Sequence, residues 1–333
     1  MNKRWKILLA LLENYAYDGN VEGVPAFDNF KRGRCGESLL QDRRLLDEFY
    51  RSCRIKNLSK RTIDYYAINL STFLIYAYSC DVKLRGVRKE HIDAWILRML
   101  EGPLSRVSIN TRLKAIRSFY NFLSREDLIE ENPVDRLSLI KVDQRAKPVL
   151  NGQQMELILN SYHCKSFESA RNKGLTYMAY DAMLRVGEMC NLRTSDVNLS
   201  EKLVRVFGKS RRERVVPIST PTARYLHGYK LRWRDKVPGD VLFCLRSGDR
   251  MIEDRVYKIF KRQSERVGID FHPHKLRRSG ATEFVRLGGS LAVVQRILGH
   301  RDIRTTMGYV NLASADVIEA HERFSPVANL RNT

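Results

Sequence analysis

Four segments in the second half of the chain carry side chains that could bind or attack a phosphate. The first, DAMLRVGEMCNL at 181–192, predicts a mostly apolar helix that contains Arg185, with Glu188 three residues further on. A buried arginine must be paired or must serve an anionic ligand. Arg185 and Glu188 are therefore either a structural ion pair on one helix face or an anion-binding arginine with its orienting carboxylate.

The second segment, FGKSRRERVVPI at 207–218, contains Lys209. The β-rich runs Leu203–Phe207 and Arg214–Ile218 predict a hairpin whose basic turn carries this lysine. A flexible ammonium group at the tip of a hairpin could reach a substrate. Surface turns also commonly carry lysine, so the turn alone does not distinguish the two roles.

The third segment, HPHKLRRSGATEF at 272–284, predicts a helix that begins at Pro273. His274 and Arg277 would then lie three residues apart on one helix face, from which both could converge on one phosphate. His272 is the rival histidine, but it precedes the proline and falls outside that register.

The fourth segment, ILGHRDIRTTMGY at 297–309, contains a glycine that is typical of a helix end. His300 follows Gly299, and Thr305–Thr306 predicts the start of a second short helix that leads to Tyr309. A tyrosine at such a place could be a nucleophile or a packing residue.

Motifs of other phosphate chemistry are absent from the sequence. It has no GxxxxGK[ST] loop, no GxGxxG after a strand, no HExxH and no carboxylate cluster for two metal ions. A protein that cuts DNA without a metal needs fixed cations at the phosphate and a covalent nucleophile. We therefore expect neither a metal nor another cofactor. The six cysteines show no CxxC spacing, which indicates reduced thiols.

The charge balance points to a polyanionic partner. The 333 residues include 59 Lys plus Arg against 38 Asp plus Glu, a formal net charge of +21, with 43% hydrophobic residues. Such an excess favours nucleic acid, although a basic membrane-surface protein would share it. The apolar run Ile7–Leu12 is too short for a membrane span, which needs about 20 residues. We expect a cytoplasmic protein that makes no membrane contact.

The chain predicts a helical first half and a mixed second half. Residues 1–36 form an extension whose role the sequence does not reveal. Residues 37–145 have the pattern of four or five helices, one of them beginning after Ser59. The polar, proline-ended stretch Ile140–Pro148 is typical of a linker. After it, helices alternate with short strands.

Six residues, taken in order, resemble the signature of the tyrosine recombinases: Arg185, Lys209, His274, Arg277, His300 and Tyr309. The flanking sequences LRVGEM, GKSRRERVVPI, PHKLRRSGAT and LGHRDIRTTMGYV match as well. The resemblance covers roughly 148–325, and the phrase INTRLKAIRSFYNFL extends it more loosely to the helical half. It is strongest to short, two-domain members such as Xer-type recombinases and transposon integrases. The family often has Ser where Gly187 stands and His where Arg278 stands.

The resemblance implies a mostly α-helical protein with a small β-sheet in its catalytic domain. The two domains would form a C-shaped clamp on DNA. A helical, SAM-like core-binding domain would span 37–145 and the catalytic domain 146–325, between the extension at 1–36 and a tail at 326–333.

The implied reaction is site-specific recombination through a 3′-phosphotyrosyl intermediate formed by Tyr309, without metal or ATP. Arg185 and Arg277 would neutralise the phosphate, and Lys209 would protonate the leaving 5′ oxygen. His274 is the expected base, and His300 would bind a non-bridging oxygen or position the tyrosine. The two histidines could exchange roles. Glu188 would orient Arg185 from behind the site.

The expected partners are double-stranded recombination sites, three further copies of the chain and accessory proteins. A C-terminal helix around 313–324 would dock on a neighbouring protomer, giving a tetramer on paired sites. Two other functions use the same scaffold. A type IB topoisomerase would relax supercoils as a monomer without site preference, and a non-catalytic DNA-binding protein would bind a site without cutting it.

Overall fold

A computed structural model describes residues 37–142, 148–208 and 213–299. The described residues fall into two compact units, one on either side of residues 143–147. Both units are built mainly from α-helices, and the second also contains a three-stranded antiparallel sheet. The predicted fold class, mostly α with a small sheet in the second half, is confirmed.

The first unit, within the described residues, contains four α-helices: α1 Glu37–Ile55, α2 Lys60–Ser79, α3 Lys89–Glu101 and α4 Arg106–Arg125. The predicted helix start after Ser59 is confirmed, because the Ser59 hydroxyl accepts the Thr62 N–H at 3.2 Å. Ser105 caps α4 in the same way through the Ser108 N–H at 3.1 Å. A serine cap satisfies a backbone donor that the first helical turn leaves unpaired.

Helix α4 runs through the centre of the first core. Its buried side chains recur at steps of three and four residues, at Ile109, Leu113, Ile116, Tyr120 and Leu123. They pack against buried residues of α1, α2 and α3 in one continuous cluster. The apolar period predicted from the sequence is therefore the packing face of this helix.

The prediction of helices is wrong for residues 126–139, which form turns and irregular chain; residues 140–142, predicted as the start of a linker, contain no helix either. Asn110 fixes part of this segment, since its side chain donates to the Ile140 carbonyl at 2.8 Å and accepts the Ile140 N–H at 2.9 Å. Arg117, on the same helix, donates to the Leu137 carbonyl. These polar side chains of α4 therefore pair backbone groups of the irregular segment that no helix satisfies.

The second unit, within the described residues, has seven α-helices: α5 Gly152–Asn160, α6 Phe167–Tyr180, α7 Val186–Asn191, α8 Thr220–Arg232, α9 Glu253–Val267, α10 Pro273–Arg286 and α11 Leu291–Leu298. Three strands lie between α7 and α8: β1 Val197–Asn198, β2 Leu203–Phe207 and β3 Glu213–Pro217. Strand β2 is central and antiparallel to both neighbours.

The predicted hairpin is confirmed. Strand β2 has the predicted bounds, while β3 begins and ends one residue earlier than predicted. Opposite β2, Arg214 pairs with Val206. The alternating burial of β3 places Arg214 on the same face as the fully buried Val216.

Helix α10 packs closely against the end of α6. A Cβ atom on Gly280 would lie 1.9 Å from the Tyr180 carbonyl oxygen, so only glycine permits this approach. At the preceding residue, the Ser279 hydroxyl accepts the Leu150 N–H at 2.8 Å. These contacts fix the helix that carries the predicted residues His274 and Arg277.

Along 37–142, 148–208 and 213–299, no helix combines the length and apolar character that a membrane crossing needs.

Candidate active site

The sequence predicted Arg185 inside a helix, but the residue lies at the N-cap of α7. Helix α6 ends at Tyr180, and Met183 then takes a left-handed backbone conformation with φ of 52°. A non-glycine residue in this region interrupts a helix. The chain therefore turns sharply before Arg185, whose side chain keeps 38% of its surface exposed.

Glu188 occupies the third position of α7 and is buried. One of its carboxylate oxygens, Oε2, accepts the Arg185 backbone N–H at 2.8 Å. The other, Oε1, accepts Nη1 of the Arg185 guanidinium at 3.0 Å. The carboxylate thus fixes both the backbone and the side chain of Arg185, and the predicted contact between the two residues is present.

Arg214, which the sequence did not single out, makes the closest ion pair with Glu188. Its Nη1 and Nη2 donate to the two oxygens of Glu188 at 2.8 and 2.9 Å. This parallel, two-pronged geometry is the strongest that an arginine and a carboxylate form. The pair joins β3 to α7 across 26 residues of sequence.

Arg277 brings α10 to the same carboxylate. Its side chain is only 1% exposed, and its Nη1 lies 3.8 Å from Oε2 of Glu188. The same guanidinium donates to the Met183 carbonyl at 2.5 Å and to the Leu298 carbonyl at 2.8 Å. Arg277 therefore links the turn before Arg185 to the last residue of α11.

The carboxylate of Glu188 remains ionised because of these neighbours. Burial by itself would raise the pKa of Glu188, but hydrogen bonds from Arg214 and from the Arg185 N–H, together with both guanidinium charges, lower it below the usual range. Within the described residues, three guanidinium groups surround one carboxylate. The cluster retains two net positive charges.

His274 lies in the first turn of α10 and is exposed to solvent. Partial burial of its ring, and then the positive charge of Arg277, of His272 and of Arg185, lower the pKa of His274. A lowered pKa keeps the imidazole neutral near pH 7 and able to accept a proton. The rival His272 is the N-cap of α10, where its Nδ1 accepts the Lys275 N–H at 3.3 Å.

The other three predicted residues, Lys209, His300 and Tyr309, lie outside the described residues. Their described neighbours in sequence are the end of β2, the start of β3 and the end of α11. Gly299 ends α11 with φ of 64°, which confirms the predicted helix end.

No three His, Cys, Asp or Glu side chains come together as a metal site would require in the part of the chain that the structure describes. The expected absence of metal and cofactor stays a prediction.

Comparison with protein families and known proteins identifies the chain. Residues 148–316 match the phage integrase family, and residues 46–127 match the phage integrase N-terminal SAM-like domain. The tyrosine recombinase XerD of Halalkalibacterium halodurans is 30% identical over 82% of this chain and 94% of its own length. XerD of Yersinia pestis is 29% identical over 86% and 99%.

Solved structures show the same fold. The Tn1549 transposon integrase in complex with transposon right end DNA aligns with a TM-score of 0.70 at 18% identity, over 84% of this chain and 98% of that one. The XerH site-specific recombinase bound to a palindromic difH substrate aligns with a TM-score of 0.66 at 21% identity, over 83% and 84%.

The fold and the family matches define a site-specific DNA recombinase. The chain belongs to the phage integrase family, the tyrosine recombinases, whose reaction is site-specific DNA recombination.

Proposed function

We propose that this recombinase cuts DNA by attack of the Tyr309 phenol on a scissile phosphodiester, which leaves a 3′-phosphotyrosyl link and a free 5′-hydroxyl. The 5′-hydroxyl of a second strand then attacks that link, so no ATP is consumed. The observation that supports this proposal is the meeting of Arg185, Arg277 and Arg214 at the buried carboxylate of Glu188.

The net charge of this cluster suits the reaction. A phosphodiester carries one negative charge, and a second develops at the five-coordinate phosphorus. Three guanidinium groups and the Glu188 carboxylate leave two net positive charges, which match that transition state without a metal ion. Arg185 is the partly exposed member, and we expect it to donate to the non-bridging oxygens, while the buried Arg277 contributes from the floor of the site.

The proton transfers are assigned to the remaining residues. A free phenol has a pKa of about 10, so its proton must be removed or its anion stabilised. His274 is our candidate base, because its lowered pKa favours the neutral ring. We assign protonation of the leaving 5′ oxygen to Lys209. His300 would bind a non-bridging oxygen or position Tyr309.

We propose that residues 37–145 form the core-binding domain and residues 146–325 the catalytic domain, and that both bind the recombination site. The extension at 1–36 and the tail at 326–333 would flank them. Four protomers would assemble on two sites through the helix predicted around 313–324, together with accessory proteins. We expect this to take place in the cytoplasm. Phosphate contacts would dominate binding, so affinity should fall steeply as salt rises.

The decisive test is covalent capture of DNA. Purified protein is incubated with sheared genomic DNA of its source organism in EDTA, and fragments that stay attached after denaturation are sequenced. The wild-type chain should capture a specific fragment without Mg²⁺, while Tyr309→Phe should capture none because it lacks the nucleophilic oxygen. The same substitution at an exposed tyrosine, Tyr257→Phe on α9, serves as the control and should capture the same fragment.

Other outcomes would contradict the proposal. Capture by Tyr309→Phe would reject Tyr309 as the nucleophile. Capture of fragments without sequence preference, with relaxation of a plasmid that lacks the site, would indicate a type IB topoisomerase. Binding of one fragment without any adduct on a nicked form of that duplex would indicate a non-catalytic protein.

A further inference from the structure

We propose that Arg214 is a positioning residue for strand cleavage, because its guanidinium connects the Glu188 carboxylate, and through it Arg185, to the end of helix α11 just before His300. This inference rests on the roles proposed above for Arg185 and His300. Arg214 itself would not touch the scissile phosphate. It would hold the groups that do.

The guanidinium of Arg214 uses both of its edges. Nη1 and Nη2 donate hydrogen bonds to the two carboxylate oxygens of Glu188. Nε donates to the Ile297 carbonyl in the last turn of α11 at 2.9 Å. A planar guanidinium can serve two directions at once with fixed geometry, whereas an ammonium group acts as a single point charge. Strand β3, helix α7 and helix α11 are therefore joined by one side chain that is only 14% exposed.

Gly299 packs directly on this side chain. A Cβ atom at residue 299 would lie 3.1 Å from Cδ and 3.2 Å from Nε of Arg214, closer than ordinary van der Waals contact. The left-handed φ of 64° also favours glycine here. The chain thus leaves α11 against Arg214, and the next residue is His300.

The position of Arg214 along the chain adds to its importance. It is the second residue of β3, the strand that follows the segment containing Lys209 in the sequence. Arg214 therefore contacts both the carboxylate that holds Arg185 and the helix end that precedes His300. It also lies on one of the two strands that flank Lys209 in the sequence. A substitution at this residue should therefore displace the catalytic groups relative to one another, although it removes none of them.

Arg214 contributes the largest interaction that keeps Glu188 ionised. Burial favours the neutral form of this carboxyl group, and the fork from Arg214 is the principal interaction that opposes it. Without Arg214, the carboxylate would lose its closest ion pair and hold Arg185 less firmly. A displacement of about 1 Å in such a group can slow a reaction about 100-fold.

The test uses the full chain and a nicked duplex that carries the fragment captured by the wild-type protein. Three quantities are measured for Arg214→Gln and Arg214→Lys: DNA affinity, the single-turnover rate of adduct formation, and thermal stability. We expect a cleavage rate about 100-fold lower for the glutamine variant and about 10-fold lower for the lysine variant, which retains charge but loses the fork. DNA affinity should change less than about threefold.

Arg205→Gln is the matched control. Arg205 lies on the same hairpin, is about half exposed, and forms ion pairs with the buried Asp196 at 3.6 Å and with the exposed Glu213 at 4.0 Å, neither of which involves Glu188. We expect its cleavage rate to stay within about twofold of wild type, since Arg205 contacts neither Glu188 nor helix α11, and Asp196 keeps its hydrogen bond from the Arg193 N–H.

A double-mutant cycle with Glu188→Gln separates positioning from simple loss of stability. If Arg214 acts through Glu188, the double variant should cleave no more slowly than the slower single variant. The double variant also removes both charges of the pair, so it leaves no buried carboxylate without its closest partner and should fold even where Arg214→Gln does not.

Several results would overturn the inference: a wild-type rate in Arg214→Gln, rate losses that add in full across the cycle, or a loss of DNA affinity as large as the loss of rate. Failure of all of these variants to fold would make Arg214 a stability residue. Failure of the wild-type chain to form any adduct would instead reject the proposed function, so the two failures are distinguishable.

Discussion

Two arginines of the second unit, Arg234 and Arg277, are each only 1% exposed, yet their surroundings differ. The guanidinium of Arg234 donates to three backbone carbonyls, those of Val241 and Val237 at 2.6 Å and of Gly239 at 2.7 Å. None of the ion pairs in the described part of the chain includes it. Arg277 donates to two carbonyls and also approaches Glu188, beside Arg185 and Arg214.

Burial of a charged side chain therefore does not by itself indicate a functional role. At Arg234 the carbonyls of one short loop receive the donors, and nothing there suggests an additional anion. At Arg277 further positive charges lie close by, and one carboxylate cannot balance them. The excess positive charge around Arg277 therefore indicates a phosphate ligand.

Arg277→Gln should have the largest effect. Loss of one preorganised cation at the phosphate is expected to slow single-turnover cleavage about 1000-fold, while DNA affinity falls much less. Arg286→Gln, on the last turn of the same helix, should cleave at a rate within about twofold of wild type because its ion pair with Glu283 is exposed. A matching loss of DNA affinity would mean that Arg277 serves binding alone.

Arg234→Gln should produce the opposite profile. The loop would lose several hydrogen bonds, which should cost about 3 kcal/mol of unfolding free energy, measured by denaturant unfolding. Cleavage at 20 °C by the folded fraction should stay within about twofold of wild type. Arg232→Gln, an exposed change two residues away, should lower stability by less than about 0.5 kcal/mol. A selective loss of cleavage in Arg234→Gln would contradict the distinction between the two arginines.

His274→Gln should slow cleavage about 100-fold at neutral pH and remove the acid limb of the pH profile. Because the pKa of His274 is lowered, the ring of the free wild-type enzyme stays neutral until the pH falls below about 6.5, the ordinary histidine value. The rate at subsaturating protein should therefore decline only below that pH.

His272→Asn is the matched control for this prediction, since asparagine also caps helices well. Its pH profile should retain the wild-type acid limb. Loss of that limb in His272→Asn, with its retention in His274→Gln, would assign the base to the rival histidine.

Local pattern predicted much of the fold. Ser59 and Gly299 mark helix ends through their own backbone chemistry, and both predictions are confirmed. The apolar residues beside Arg185 predicted a helix through it. The left-handed turn at Met183 breaks that helix, and its carbonyl accepts a hydrogen bond from Arg277 of α10, a contact that local sequence does not reveal. Residues 126–142 are held by side chains of α4, which helical periodicity does not reveal.

The candidate site was only partly accessible to prediction. The pair Arg185 and Glu188 is three residues apart, so local spacing suggests it. Arg214 pairs across 26 residues with Glu188 and across 83 with Ile297, distances that no local pattern spans. One signal was available: strand alternation puts Arg214 on the same face as the buried Val216. An arginine on an inward-facing strand position requires a partner.

The most direct test of the central claim, that the cationic cluster neutralises one scissile phosphate, replaces that phosphate with an uncharged methylphosphonate. Single-turnover cleavage of the charged and the neutral duplex is compared for the wild-type chain and Arg277→Gln. We predict a loss of about 1000-fold on the phosphodiester and of less than about 10-fold on the methylphosphonate, which has less charge to neutralise. An equal loss on both duplexes would contradict the claim.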